Sequence, residues 1–194
     1  MIKRLTIATA AMALACLSSS SLAASPSGRF FLDGAVGRAT WHDGDFNAGN
    51  THTAAAWRVG YAWNRDRVSY GLEAGYVDLG TARGRDDFGA TPLDLSAGAT
   101  GVLAGVNVAY RFARRLSVHA RLGWMHDRLD VRSGGYRERF SGDGGYVGIG
   151  AGYRISKHLG VGLAYDRYTV RGNVNGSRTQ DFVGMFSGFA DVRF

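Results

Sequence analysis

The feature that most constrains the fold is an alternation of bulky apolar with small or polar residues at a strict two-residue period. Ala55, Trp57, Val59, Tyr61 and Trp63 take every second position with Arg58, Gly60 and Ala62 between them, so each set lines one face of an extended strand. The pattern returns over 68–76, 102–112, 116–124, 147–155 and 159–165. A first strand over about 29–41 is less regular, because Asp33 and Arg38 fall on opposite faces; a last, over about 182–194, carries Phe182, Phe186, Ala190, Val192 and Phe194 on one face. With 29 Gly and 12% aromatic residues, the composition suits closely packed strands and disfavours long helices.

The eight strands are joined by tight links at 64–67, 113–115 and 156–158, which alternate with longer polar links at roughly 42–53, 79–99, 129–144 and 171–180. Strict alternation of short and long links is the signature of an up-and-down barrel with all short turns at one end. The opposing faces decide the solvent. One face is almost continuously Trp, Tyr, Leu, Val and Phe, whereas the other is Gly, Ala, Ser and a few charges, too small a set for a water-facing surface. The bulky face is therefore expected to meet lipid, with Trp57, Tyr61, Trp63, Tyr70, Tyr76, Tyr110, Trp124, Tyr153 and Tyr165 in interfacial girdles. The fold class that follows is all-β, an eight-stranded antiparallel up-and-down transmembrane β-barrel.

Residues 1–23 read as a secretory signal: Lys3 and Arg4, an apolar core from Leu5 to Leu17, then Ser21-Leu22-Ala23 before the cleavage point. A lipoprotein signal acylated at Cys16 is the competing reading, disfavoured by Ala13 three residues earlier and by the Ser-rich run that follows. The barrel domain is then 24–194. It contains no cysteine, which excludes a disulfide framework or a thiolate metal site.

The segment from Gly71 to Gly80, Gly-Leu-Glu-Ala-Gly-Tyr-Val-Asp-Leu-Gly, and the strand ending in Phe194 resemble the small eight-stranded outer-membrane barrels: the OmpA transmembrane domain and the OmpX, Ail, Lom and opacity-protein group. The resemblance implies a monomeric barrel in a Gram-negative outer membrane, in contact with lipid and lipopolysaccharide. In such barrels a C-terminal Phe with apolar residues at alternate positions is the signal read by the barrel-assembly machinery, and Ala190, Val192 and Phe194 match it; Gly188 is displaced by one from the usual glycine. The resemblance also implies a barrel without the peptidoglycan-binding domain of full-length OmpA, and a structural or adhesin-like role played through the outer loops, toward a host surface ligand in some relatives.

Counting from the tight links places Arg58, Glu73, Asn107 and Arg121 at one height near mid-barrel. A buried charge needs a partner, so Glu73 is expected to form a structural polar network with Arg58 and Arg121, with Asp166 and Arg154 close by. Eight strands leave no open pore. In the long links Arg83, Arg85, Arg132, Arg137 and Arg139, with Arg171 and Arg178, are candidate contacts for an anionic ligand such as phosphorylated lipopolysaccharide, since guanidinium pairs bidentately with phosphate. No catalytic, cofactor or metal residues are assigned, and the protein is read as not an enzyme.

Two other classes set the alternatives. A lipid A-modifying enzyme needs a Ser nucleophile and a His base, but the deacylase pattern His-x-Ser-Asn does not occur at His119, His126 or His158, and His42 and His52 lack ligand spacing. A soluble periplasmic or secreted barrel that binds a small ligand would need the bulky face inside. Nucleic acid is not expected as a partner despite a pI near 9.9, because there is no recognition-helix pattern. The Gly-rich run at 148–152 is read as a small-residue strand face, since no helix pattern follows it.

Overall fold

The computed structural model describes residues 28–42, 51–86, 93–133, 136–174 and 177–194, so the expected signal segment 1–23 lies outside the described residues. Eight strands, β1 (Gly28–His42), β2 (Thr51–Arg65), β3 (Val68–Asp86), β4 (Leu93–Arg111), β5 (Leu116–Ser133), β6 (Tyr136–Arg154), β7 (Leu159–Val174) and β8 (Ser177–Arg193), pair antiparallel in chain order and close into a barrel. Closure is made by β8 on β1, from Phe31↔Arg193 to His42↔Phe182.

The register fixes the dimensions. Stepping across paired residues from Phe31 through Gly60, Glu73, Gly105, Gly123, Tyr146, Tyr168 and Val183 returns to β1 at Trp41, ten residues along from the start. A stagger of ten over eight strands gives a strand tilt of about 41° and a backbone radius of about 8 Å. The outward apolar run from Val102 on β4 to Phe112, just past its end, then spans about 25 Å along the axis, the height of the apolar band of a membrane barrel.

The bulky face is the outer one. Val36 and Ile149 are 63% exposed and Leu122 is 60% exposed, and every aromatic residue assigned to the girdles lies on outward positions. At the short-turn end Phe30, Tyr61, Trp63 and Tyr70 form a chain of ring contacts at 4.9, 5.1 and 5.8 Å. In the first short turn Asp66 takes φ +54°, a left-handed conformation that Asp tolerates better than most residues.

The strands are longer than the alternation alone predicts. Much of 79–99, 129–144 and 171–180, read from the sequence as loops, is strand: β3 pairs β4 to Asp86↔Leu93, and β5 pairs β6 to Ser133↔Tyr136. These segments stand beyond the apolar band, where the outer face no longer has to be apolar to keep the ladder. β4, at 19 residues, rises about 20 Å above the band.

Above mid-barrel the wall divides. Among the described residues the β2–β3 ladder ends at Ala55↔Asp78 and the β6–β7 ladder at Tyr146↔Tyr168, while β3–β4, β4–β5 and β5–β6 continue upward. The result is a tall four-stranded sheet, β3 to β6, beside a second group made of β7, β8, β1 and β2, in which the β7–β8 ladder also continues upward to Val174↔Ser177. At one division β3 carries a bulge between Asp78 and Thr81, where Gly80 takes φ +78° and its N–H donates to Asp78 Oδ1 at 2.9 Å.

Candidate functional site: the barrel interior and its two ends

The interior is layered. At its middle Arg58, 1% exposed, donates to Asp33 Oδ1 (3.1 Å), Asp166 Oδ2 (3.2 Å) and the Tyr168 hydroxyl (2.8 Å), and its Nε lies 3.9 Å from Glu73. Arg121 reaches Asp33 at 3.6 Å and Asp166 at 3.7 Å, and its Nη2 donates to His119 Nε2 at 2.9 Å. Because guanidinium cannot accept, His119 Nε2 must be the unprotonated acceptor nitrogen. Glu73 is held from the other side by the Asn107 amide (2.9 Å) and the Tyr146 hydroxyl (2.8 Å). Three carboxylates against two guanidiniums leave one formal negative charge, spread over neutral donors that lower the cost of burying it.

This cluster fits inside a narrow wall because glycine faces each long charged side chain across the ladder. Gly75 pairs with Arg58, Gly60 and Gly105 flank Glu73, and Gly148 stands between Arg121 and Asp166. A Cβ at Gly148 would run into Asp166 Oδ1 and come within 3.0 Å of Arg121 Cγ. Small residues are therefore the complement of the charges.

Toward the tall end a plug, apolar but for the fully buried Asp127, closes the lumen: Val77, Leu79, Leu103, Met125, Val170, Val183 and Met185 are all at most 2% exposed, and Tyr146 stacks on Tyr168 at 6.1 Å to join plug and cluster. Toward the short-turn end lies a polar vestibule lined by Phe31, Ser69, Ser117, His119, Phe189 and Arg193 among others, with a cavity of about 70 Å³. Ligand pockets for small molecules usually measure about 300 Å³ or more, so this space suits a few water molecules rather than an organic ligand.

The structure brings Arg58, Glu73, Asn107, Arg121 and Asp166 together. It places Arg154 elsewhere, lining the vestibule with Asp191 and Arg193, six residues along β6 from Gly148. Sequence reasoning missed Asp33, His119, Tyr146 and Tyr168. Asp33 had a signal, since an acid interrupts the first strand and its register partner is Arg58. The tyrosines lay just beyond the alternating segments and had none.

The candidate anion contacts sit on paired strand, not in loops. Arg83 stands opposite Ser96, Arg85 opposite Asp94 and Arg132 opposite Arg137, while Arg139 meets Asp130 at 3.2 Å on the exposed surface. Arg171 and Arg178 likewise face Gln180 and Asn173. Lower on the same outer face His126 Nδ1 contacts Asp143 at 2.9 Å and its ring stacks on Trp124. Ala190 and Val192 occupy outward positions of the closing strand, and the Phe194 N–H donates to Phe30 O at 3.0 Å. Among the described residues no group of three or more His, Cys, Asp or Glu could hold a metal ion.

The short-turn end is strongly basic. Among the described residues Arg29, Arg65, Arg67, Arg111, Arg114, Arg115, Arg154, Lys157 and Arg193 lie at that rim, with Asp66 and Asp191 as the acids.

Known structures share this architecture. Neisserial surface protein A superposes with a TM-score of 0.52 at 12% identity, over 86% of this chain and 97% of that one. Ail of Yersinia pestis, in complex with the heparin analogue sucrose octasulfate, gives 0.51 at 16% identity, over 87% and 98%. A major outer membrane protein from Thermus thermophilus gives 0.50 at 14%, over 87% and 100%. At such identities the likeness speaks for the fold alone. No curated protein matches the chain. The sequence itself matches the outer membrane protein beta-barrel domain family over residues 9–188. A closed eight-stranded barrel, apolar outside for about 25 Å and plugged within, together with a family match over nearly the whole length, makes this chain a member of that outer-membrane β-barrel family.

Proposed function

We propose that the protein is a non-enzymatic, non-conducting surface protein whose working part is the extracellular sheet formed by β3 to β6. The observation that carries this reading is the divided wall: four laterally paired strands rise about 20 Å above the apolar band, with β6 residues 136–145 outside any β6–β7 ladder among the described residues. A free sheet edge can pair with an incoming extended segment, and the side chains along it supply selectivity. An anionic partner is favoured at the β5–β6 tip, where the register sets Arg132 opposite Arg137. Like charges at paired positions weaken a ladder unless an anion lies between them. Ail, of similar fold, has been crystallised with a heparin analogue, and a sulfated or phosphorylated glycan is the ligand class we assign here. Arg83, Arg85, Arg132, Arg137 and Arg139 are its proposed contacts.

The test is binding of the detergent-solubilised protein to immobilised heparin, before and after both tall hairpins are shortened to the level of the apolar band. Loss of binding with the heat-dependent gel shift of the folded barrel retained supports the proposal. Undiminished binding by the shortened barrel rejects it. We propose further that Ala190, Val192 and Phe194 form the assembly signal, so that Phe194→Ala lowers the amount reaching the outer membrane. A lipid A-modifying enzyme has one observation in its favour, the exposed His126–Asp143 pair, but residue 128 is Arg rather than a Ser nucleophile. Unchanged lipid A acylation on overexpression is the expected result; a change abolished by His126→Ala would establish the enzyme instead.

A further inference from the structure

The basic rim at the opposite end is left unused by that reading. Among the described residues its basic groups outnumber its acids nine to two; Arg154, Arg193 and Asp191 line the interior vestibule, where Arg193 pairs with Asp191 at 2.8 Å, whereas Arg65, Arg67, Arg114, Arg115 and Lys157 are exposed at the short turns. We propose that this rim binds the anionic headgroups of phospholipids in the periplasmic leaflet. Three features carry the inference.

First, the level is right. Trp63, Tyr70, Tyr110 and Tyr153 point outward at this end, as aromatic side chains do at the boundary between acyl chains and headgroups. Arg65 lies two residues beyond Trp63, about 5 Å further along the axis and therefore at the depth of the phosphates. Second, basic and apolar groups are adjacent on this surface. Arg65 and Arg67 share a shallow concavity with Asp66, Val68 and Tyr70, so two guanidinium groups, against one carboxylate, meet exposed apolar surface in one place. A soluble polyanion would leave that apolar part uncovered. At the next turn Arg115 donates to the Tyr153 hydroxyl at 3.0 Å, which pins a second guanidinium against the girdle. Third, the charge is distributed. All three short turns carry exposed basic residues, an arrangement that matches a shell of lipids around the barrel rather than one protein docked on one side. Basic residues near an anionic leaflet each add to its attraction, whereas a zwitterionic surface gives them nothing to neutralise.

The experiment uses the whole chain refolded in a neutral detergent and native mass spectrometry with phosphatidylglycerol or phosphatidylcholine of identical acyl chains. The expected result is preferential retention of phosphatidylglycerol, reduced roughly tenfold in the R65Q/R67Q/R114Q/R115Q variant and unchanged in the R38Q/R128Q variant at the opposite end. The heat-dependent gel shift reports that each variant is folded. Should the rim variant not fold, the native chain is compared at about 0.1 and 0.5 M salt, where screening is expected to abolish the preference. Equal retention of the two lipids, or a preference that survives the rim substitutions or the salt, overturns the proposal. So does displacement of phosphatidylglycerol by a short polyglutamate peptide, which would assign the rim to a soluble acidic partner.

Discussion

The lower and upper halves of the barrel are built on different principles. Below the Arg58 cluster eight ladders run unbroken around the wall, so each strand is held on both edges by backbone hydrogen bonds. Above it two of the ladders stop, at Ala55↔Asp78 and Tyr146↔Tyr168, and side-chain packing takes over. The plug residues Val77, Leu79, Tyr168 and Val170 sit beside the two places where pairing ends. Lipid requires every backbone group in the wall to be satisfied internally; water above the membrane does not. The lesson is that the plug does more than fill the lumen, since it also packs against both half-walls where, among the described residues, the ladders between them end.

Charge separates the two ends just as sharply. In the sequence, the segments above the cluster and the long links carry ten basic and eleven acidic residues, whereas the short-turn rim carries nine and two. The basic excess of the chain is thus not spread over its surface. A pI near 9.9 describes one end of the molecule.

The largest expected effect tests whether the closed half is the foundation. Gly148→Leu drives a side chain into Asp166 and Arg121, and no heat-modifiable barrel should form; a folded variant would mean that the cluster can be displaced without loss of the wall. Next, Arg58→Leu leaves Asp33, Asp166 and Glu73 short of their shared cation and should cost about 3–5 kcal/mol in a urea titration. Adding Asp166→Asn should recover part of that loss, and additive losses would show that the two residues do not interact. The division itself is tested by hydrogen exchange. Amides of β6 in 136–145 should exchange at least about tenfold faster than those in 146–154, and equal protection across Tyr146 would contradict a split wall. The smallest effect concerns the first short turn: Asp66→Gly should be neutral or stabilising by a few tenths of a kcal/mol, and Asp66→Val destabilising by about 1 kcal/mol, both read from denaturation midpoints.

The closed half was legible in the sequence because lipid imposes a pattern. Val102 to Phe112 had to alternate, and the tight turns fixed a common origin from which Arg58, Glu73, Asn107 and Arg121 could be placed at one height. The upper half was not legible, since strands whose outer face meets water carry no continuous apolar period, and Asp130, Arg139 and Ser141 read as loop. The membership of the cluster was only partly readable for a related reason. Height follows from counting along a strand, but which side chain meets which depends on the ten-residue stagger around the wall. That stagger brings Asp33 and Tyr168, far apart in sequence, to the same guanidinium, and leaves Arg154 at the rim.

The closing ladder also sets an order in time. Phe31 and Arg193 are 162 residues apart, whereas Arg65 and Val68 are three apart. For a flexible chain the entropic cost of bringing the first pair together exceeds that of the second by roughly 3–4 kcal/mol. The hairpins must therefore form early and shorten the distance, and the seam between β1 and β8 must close late. Chain growth from the N-terminus cannot complete the barrel before Phe194 arrives to bond Phe30. Until then the first strand waits with one edge open, and the last hairpin to emerge decides when the waiting ends.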